Sequence, residues 1–475
     1  MSGSSTVDGT PPSGQPGTTE PAARLDAAIR RRFAGRACVV FSTAASHIAP
    51  VIRALTEAGA EGVFAATADR PADGVFGPGV TTHRVPVTAD TRDGLAAAFT
   101  RALAEPSTRL LAALDRFDPG RRALVLDTRD LPGERLAGRP RYGRRRAAWA
   151  VAEDKTRVER VWRAAGIPCP PAAVLPPRED ALLSAAARLD AGGGTVWAAD
   201  TRSGIHTAAE GTRWIRGEAD GRRNLPFFAV RCSRVRVMPF VEGLPCSVHG
   251  LVMTRGTVVL RPLELVVLRD GDHRFVFAGT STHWDPPPGA ARNIRETARA
   301  VGEGLRRLCR YRGGFTLDGV LSPEGFVPTE VNARLGSGLN LDTSRPDLRL
   351  DLLNRLIREG DDSLLEPGEL ESEMLDALDA VRGAKVKIPL PVRPSRYGSV
   401  PLLWSGGRWR RCAGEDGPAT AVLSTERSGI GDIMRLRLAP DALCGEAVSG
   451  KAVAAFRLGR DALGVAVPEL TAPHW

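Results

Sequence analysis

Residues 313–334 read Gly-Gly-Phe-Thr-Leu-Asp-Gly-Val-Leu-Ser-Pro-Glu-Gly-Phe-Val-Pro-Thr-Glu-Val-Asn-Ala-Arg. Two short apolar stretches, 315–321 and 326–332, flank Ser322-Pro323-Glu324-Gly325. Proline suits the first central position of a tight turn, and glycine takes the left-handed residue after it. The pattern predicts a β-hairpin with a three-residue loop over 323–325, pairing Ser322 with Phe326. Continued outward, that register sets Asp318 opposite Glu330, and paired residues share a sheet face. Asn332, two residues on, points the same way. Opposed like charges repel unless a cation lies between them. Two carboxylates and an amide oxygen on rigid strands, with room for water and phosphate oxygens, suit magnesium. The plain alternative is a solvent-facing hairpin whose acids meet no metal.

These residues resemble the metal-binding end of the ATP-grasp superfamily, where an acid on one strand and Glu-x-Asn-x-Arg on the next hold magnesium against ATP phosphates. Asp318, Glu330, Asn332 and Arg334 match in order. The resemblance implies two magnesium (or manganese) ions on Asp318, Glu330 and Asn332, with Arg334 in the catalytic set. It also brings the following loop, with Gly336 and Asn340, to the transferred phosphate or the substrate.

A second signal comes from composition. The formal net charge is +10, carried by arginine; only Lys155, Lys385, Lys387 and Lys451 are lysines. Lys155 is thus the only lysine in the first 384 residues. It follows Asp154 and precedes a helical pattern (Val158, Val161, Trp162, Ala165) that stops at Gly166-Ile-Pro168. A compact ammonium approaches phosphate as a point charge; an ordinary surface lysine in a first helical turn is the alternative. The segment resembles the entry to an ATP-grasp domain, which implies a phosphate role for Lys155.

Residues 195–216 read strand, loop, strand. ATP-grasp enzymes commonly carry a second lysine at the end of the first strand and a glycine-rich loop after it. Here Ala198 or Ala199 stands at that place, and the loop has one glycine, Gly204. The missing charge is supplied by Arg202, or nucleotide is gripped differently, or its binding is weakened. Residues 234–243, Arg-Val-Arg-Val-Met-Pro-Phe-Val-Glu-Gly, resemble the hinge that receives adenine. Backbone groups at 239–241 would meet the base edge, Met238, Phe240 and Val241 its faces, and Glu242 the ribose, although Pro245 stands where an acid is usual. A hairpin expected over 257–268 and 274–278 carries Arg261 and Glu264, which either face substrate, Arg261 pairing a carboxylate, or form a surface ion pair. An amphipathic helix is expected over 293–310.

At 475 residues the chain calls for two or three domains. The expected class is α/β and α+β: a disordered Gly/Ser/Thr/Pro-rich tail at 1–22, a Rossmann-like pre-ATP-grasp domain at 23–148, an ATP-grasp domain at 149–375 and a small β-rich domain at 376–475. In the first of these, strands at 37–41, 62–66 and 123–127 and a helix at 47–58 make a parallel unit. It lacks Gly-x-Gly-x-x-Gly; Ser42, Thr43 and Ser46 hold an anion or cap the helix there. The arginine cluster at 139–146 reads as a solvated linker. Seven scattered cysteines without Cys-x-x-Cys argue for reduced thiols in a cytoplasmic protein, with Cys246 a small core residue. No segment has the length and polarity of a membrane span. His206, His249, His273 and His283 show no ligand spacing.

The resemblance implies a carboxylate–amine ligase, most like actinobacterial peptide ligases, joining small acids and amines such as amino acids or peptides through an acylphosphate. Neither membrane nor nucleic acid is expected as a partner; a homodimer is. A carboxylase, a phosphotransferase and a degenerate ATP-binding partner protein are the alternatives.

Overall fold

A computed structural model describes residues 20–71, 74–89, 92–127, 133–202, 209–336, 338–339, 345–412, 418–428, 431–440 and 442–474. The tail at 1–19, Gly204 and Asn340 lie outside the described residues.

Alternating apolar residues build the N-terminal unit. Four parallel strands run in the order Val80–Arg84, Gly62–Thr67, Ala37–Ser42, Leu124–Asp127. Cys38 and Val40 pack on Glu20–Phe33 and Ala45–Glu57. Val39 and Phe41 pack with Arg92–Ala104 and Thr108–Phe117. This is the expected Rossmann-like arrangement. Both carboxylate oxygens of Asp69 accept from the Ala45 amide, at 3.0 and 3.1 Å. An acid from the neighbouring strand end therefore occupies the helix start where an anion or a Ser/Thr cap was anticipated.

The cluster at 139–146 is not a solvated linker. Arg139 is fully buried, bonded to Asp118 at 2.8 Å and to the carbonyls of Leu114, Asp118 and Ala137. Arg141 pairs Asp127 at 2.8 Å and Arg145 pairs Glu153 at 2.7 Å. The guanidinium's fixed fork of donors explains this use: it can be buried where carboxylates and carbonyls take all its protons.

A small antiparallel sheet follows, ordered Ala173–Leu175, Val235–Pro239, Thr195–Ala199, Thr212–Ile215. One face packs through Trp197, Val235 and Val237 on Glu179–Leu189 and Glu218–Arg231. The other carries Val196, Ala198, Arg236 and Met238.

The large sheet begins at the predicted hairpin. Gly325–Asn332 pairs Gly313–Ser322, then come Leu244–Val252, Thr257–Asp270 and Phe275–Ser281. Pro288–Cys309 covers its apolar face through Ile294, Ala298, Val301 and Leu305. The C-terminal strands continue this sheet, Ala384–Pro389 pairing the Phe275–Ser281 strand with Val386 opposite Gly279. Gly279 has φ +149°, and a Cβ there would meet the Lys385 carbonyl at 1.7 Å, so only glycine lets the strands join. The β-rich C-terminal region also contains a helix not anticipated, Ser449–Leu463.

Candidate active site

The hairpin pairs Asp318 with Glu330 as expected, by a different route. The turn has two residues, with Ser322 opposite Gly325, and a bulge between Asp318 and Gly319 absorbs Thr329. The extra strand residue compensates for the shorter loop, so the two acids still face each other. Pro328 fits beside the bulge in an edge strand, where its missing donor is harmless.

Ser247 stands opposite Asp318 on the next strand, so Ser247, Asp318 and Glu330 form a row across three strands. The Ser247 hydroxyl donates to Asp318. The Asn332 amide nitrogen donates to Asp318 at 3.0 Å and to Glu330 at 3.4 Å. Burial raises the Asp318 pKa, while Ser247, Lys155 and Arg334 oppose it. Lys155 comes from a turn between a short 3-10 helix, Val151–Glu153, and Glu159–Ala165, and its ammonium bonds Glu330. Burial lowers its pKa to about 8; Asp318 works against that, Arg236 and Arg334 with it. Arg334 donates to buried Glu153 at 2.6 Å. Lys155, Asp318, Glu330, Asn332 and Arg334, separated by up to 179 positions, thus form one cluster.

The donor set fits a hard divalent cation. Two carboxylates and an amide project from one sheet face, and among the described residues no group of three or more His, Cys, Asp or Glu side chains is assembled. Such a half-set suits magnesium, which keeps water and phosphate oxygens in its shell. Among the described residues Glu330 is contacted by the Lys155 ammonium and, at 3.4 Å, by the Asn332 amide nitrogen.

Lys155 and Glu330 end a cleft between the two sheets, about 770 Å³ counted to its open mouth. Val196, Ala198, Met238 and Pro239 line it from the small sheet, Val267, Phe275 and Val320 from the large one, and Phe240 and Val241 from the connection. Residues 239–241, read in the sequence as the adenine hinge, thus line this cleft. Phe240 stacks on Trp214 with ring centroids 4.4 Å apart and planes 20° from parallel, and Arg269 lies 5.0 Å over the Phe240 ring. Trp214 and Arg269 were not singled out in the sequence; an aromatic in the strand after the loop was the available signal. If 239–241 receive adenine, Phe240→Leu is expected to weaken ATP binding only a few-fold, because the base edge would be held by backbone groups and apolar packing is partly kept; isothermal calorimetry on the folded variant checks this.

Four candidates are placed elsewhere. Glu242 is held by both terminal nitrogens of Arg269, at 2.9 and 2.6 Å, and accepts from the His474 amide; it is a paired acid rather than a free ribose ligand. Arg202 is exposed, its amide bonded to Asp200, and lies outside the cleft lining. Arg261 is committed to Asp379, Asp285 and the Trp284 carbonyl. Glu264 is fully buried and accepts from the amides of Val448 and Ser449 and from the Ser449 hydroxyl, capping Ser449–Leu463. Neither Arg261 nor Glu264 faces the cleft, because long-range partners invisible in the local sequence take their charges. Glu264→Ala should leave two helix-start amides unpartnered and cost about 2 kcal/mol, read by urea unfolding. Gly336 packs against His249, where a Cβ would come within 2.7 Å of the ring nitrogen Nε2. Cys246 is fully buried and burial pushes its thiol pKa up, as a core residue requires.

No protein-family model matches the chain, and no curated protein matches it in sequence. Solved structures do match in fold. The biotin carboxylase–β,γ-ATP complex from Campylobacter jejuni shares 13% identity at a TM-score of 0.55, covering 92% of each chain. The biotin carboxylase domain of Hydrogenobacter thermophilus 2-oxoglutarate carboxylase, solved with magnesium ADP and bicarbonate, shares 13% identity at 0.51, covering 92% of this chain and 91% of that one. An ADP complex of N5-carboxyaminoimidazole ribonucleotide synthetase shares 11% at 0.50, covering 85% and 93%. The chain has the ATP-grasp fold. No helix among the described residues is long and apolar enough to cross a membrane.

Proposed function

We propose that this chain is an ATP-dependent carboxylate–amine ligase that forms an amide or peptide bond and releases ADP and phosphate. The observation that supports it is the pairing of Asp318 with Glu330, joined by Asn332 and faced by Lys155, at the end of a cleft walled by 239–241. Opposed, partly buried acids on one sheet face have no evident structural use. The structurally similar chains solved with ADP or an ATP analogue give the reading its second support.

Asp318, Glu330 and Asn332 would hold magnesium or manganese, which when bound neutralises charge on the phosphate oxygens. Lys155 exchanges Glu330 for a phosphate oxygen when nucleotide enters. Arg334, anchored by Glu153, adds a fixed positive charge beside it. An oxygen of the acid substrate attacks the γ-phosphorus as its bond to ADP breaks, giving an acylphosphate. The amine then attacks the acyl carbon, phosphate leaves, and the amine proton passes to solvent. No side-chain nucleophile is required, in keeping with the inert Cys246.

The test is ADP and phosphate release screened against pooled amino acids and small peptides, with hydroxylamine added to trap acylphosphate as hydroxamate. Bicarbonate with biotin is the control, since two of the similar structures are biotin carboxylases. ADP release that yields a hydroxamate with an amino-acid or peptide pool supports the ligase. Release driven only by bicarbonate and biotin makes it a carboxylase, and release without hydroxamate makes it a phosphotransferase or an ATPase.

A further inference from the structure

Arg236 stands directly opposite Ala198 in the small sheet, so both side chains leave the same face, the one whose Val196, Ala198 and Met238 line the cleft. Arg236 is only 1% exposed. Its Nη1 donates to the Thr329 carbonyl at 3.2 Å. Thr329 is the bulged residue beside Glu330 and itself lines the cleft. Nε and Nη2 of Arg236 are buried and have no hydrogen-bond partner among the described residues.

A guanidinium removed from water without a counter-charge is unfavourable, and the chain avoids this elsewhere. Arg139 has Asp118 and Asp115, and Arg141 has Asp127. Arg236 has one carbonyl. The carbonyl it bonds belongs to Thr329, the residue before Glu330, and the Glu330 carboxylate is the one that Lys155 bonds. Arg334 is paired with Glu153 and Lys155 with Glu330, whereas Arg236, on which Glu159 acts only at longer range, is buried and has donors to spare. That is the arrangement of a site that awaits an anion with two acceptor oxygens.

We infer that Arg236 binds a phosphate group of the nucleotide, supplying from the paired strand the positive charge that Ala198 cannot. This rests on the nucleotide reading above. A phosphate is favoured over a substrate carboxylate because Arg236 lies on the sheet face shared with Met238, close to residues 239–241, and bonds the carbonyl of the residue before Glu330.

Calorimetry with adenosine and with magnesium ADP, without acid substrate, tests it on wild type, Arg236→Met, Arg236→Lys and the double variant Arg236→Met with Ala198→Lys. Arg236→Met should lose at least about tenfold in ADP affinity, the value of a charge-assisted bond, with adenosine unchanged within about twofold. Arg236→Lys should recover part of the loss, and the double variant at least about threefold of it, because a cation returns to the same face from the neighbouring strand. Wild type that binds no magnesium ADP defeats the nucleotide reading itself. Wild type that binds it, with Arg236→Met unaffected, overturns only the Arg236 assignment. Equal losses for adenosine and ADP make Arg236 a packing residue, which overturns the inference. If Arg236→Met does not fold, the ADP-to-adenosine affinity ratio of Arg236→Lys decides, an unchanged ratio counting against it.

Discussion

Glu330→Gln is expected to abolish turnover while leaving the chain folded. The substitution keeps the side chain's shape and removes the charge that faces Asp318 and Lys155. Without it, Asp318 and Asn332 alone cannot hold a divalent cation against phosphate, and charge developing in the transition state is left uncompensated. The loss should reach at least about 4 kcal/mol, roughly a thousandfold in kcat/KM. Asp318→Asn should behave alike. Circular dichroism and urea unfolding establish the fold, and steady-state ADP release gives the rate. Turnover of Glu330→Gln within tenfold of wild type would remove the metal assignment.

Lys155→Ala is the second large effect. If the ammonium leaves Glu330 for a phosphate oxygen, alanine costs affinity and rate together. A charge-assisted bond contributes roughly 1.5–3 kcal/mol, so at least a tenfold loss in ATP affinity is expected. Lys155→Arg should restore only part of it, since a planar fork cannot occupy the position of a compact ammonium. A change below about twofold, the scatter of surface substitutions, would mean that Lys155 merely pairs Glu330.

Both predictions concern residues that were legible in the sequence, for reasons that can be named. Strand periodicity fixes which side chains share a face, so Asp318, Glu330 and Asn332 could be brought together from spacing alone. Even there the pairing came out right through two compensating departures, a shorter turn and a bulge at Thr329. Lys155 stood out because the composition disfavours lysine. What failed was everything set by distant partners. Arg139, Arg141 and Arg145 look solvated in a linear reading and are buried against Asp118, Asp127 and Glu153. Arg261 and Glu264 look like substrate ligands until Asp379 and Ser449, more than a hundred residues away, claim them. The helix Ser449–Leu463 was hidden by its glycines, yet Gly459 is where Leu423 and Met434 pack against it: a Cβ there would come within 2.2 Å of Leu423. Arg236 was passed over because its strand mate Ala198 is 38 positions away, and only the register shows that they share a face.

The account turns on nucleotide binding through a divalent cation held by the hairpin. A calorimetric titration of ATP, once with magnesium and once with excess EDTA, tests it most directly. One ATP should bind per chain with magnesium present. Removing the metal should weaken that binding at least about tenfold, because Asp318 and Glu330 then repel the phosphates instead of sharing a cation with them. ATP affinity that is the same with and without the metal, or no ATP binding under either condition, would contradict it.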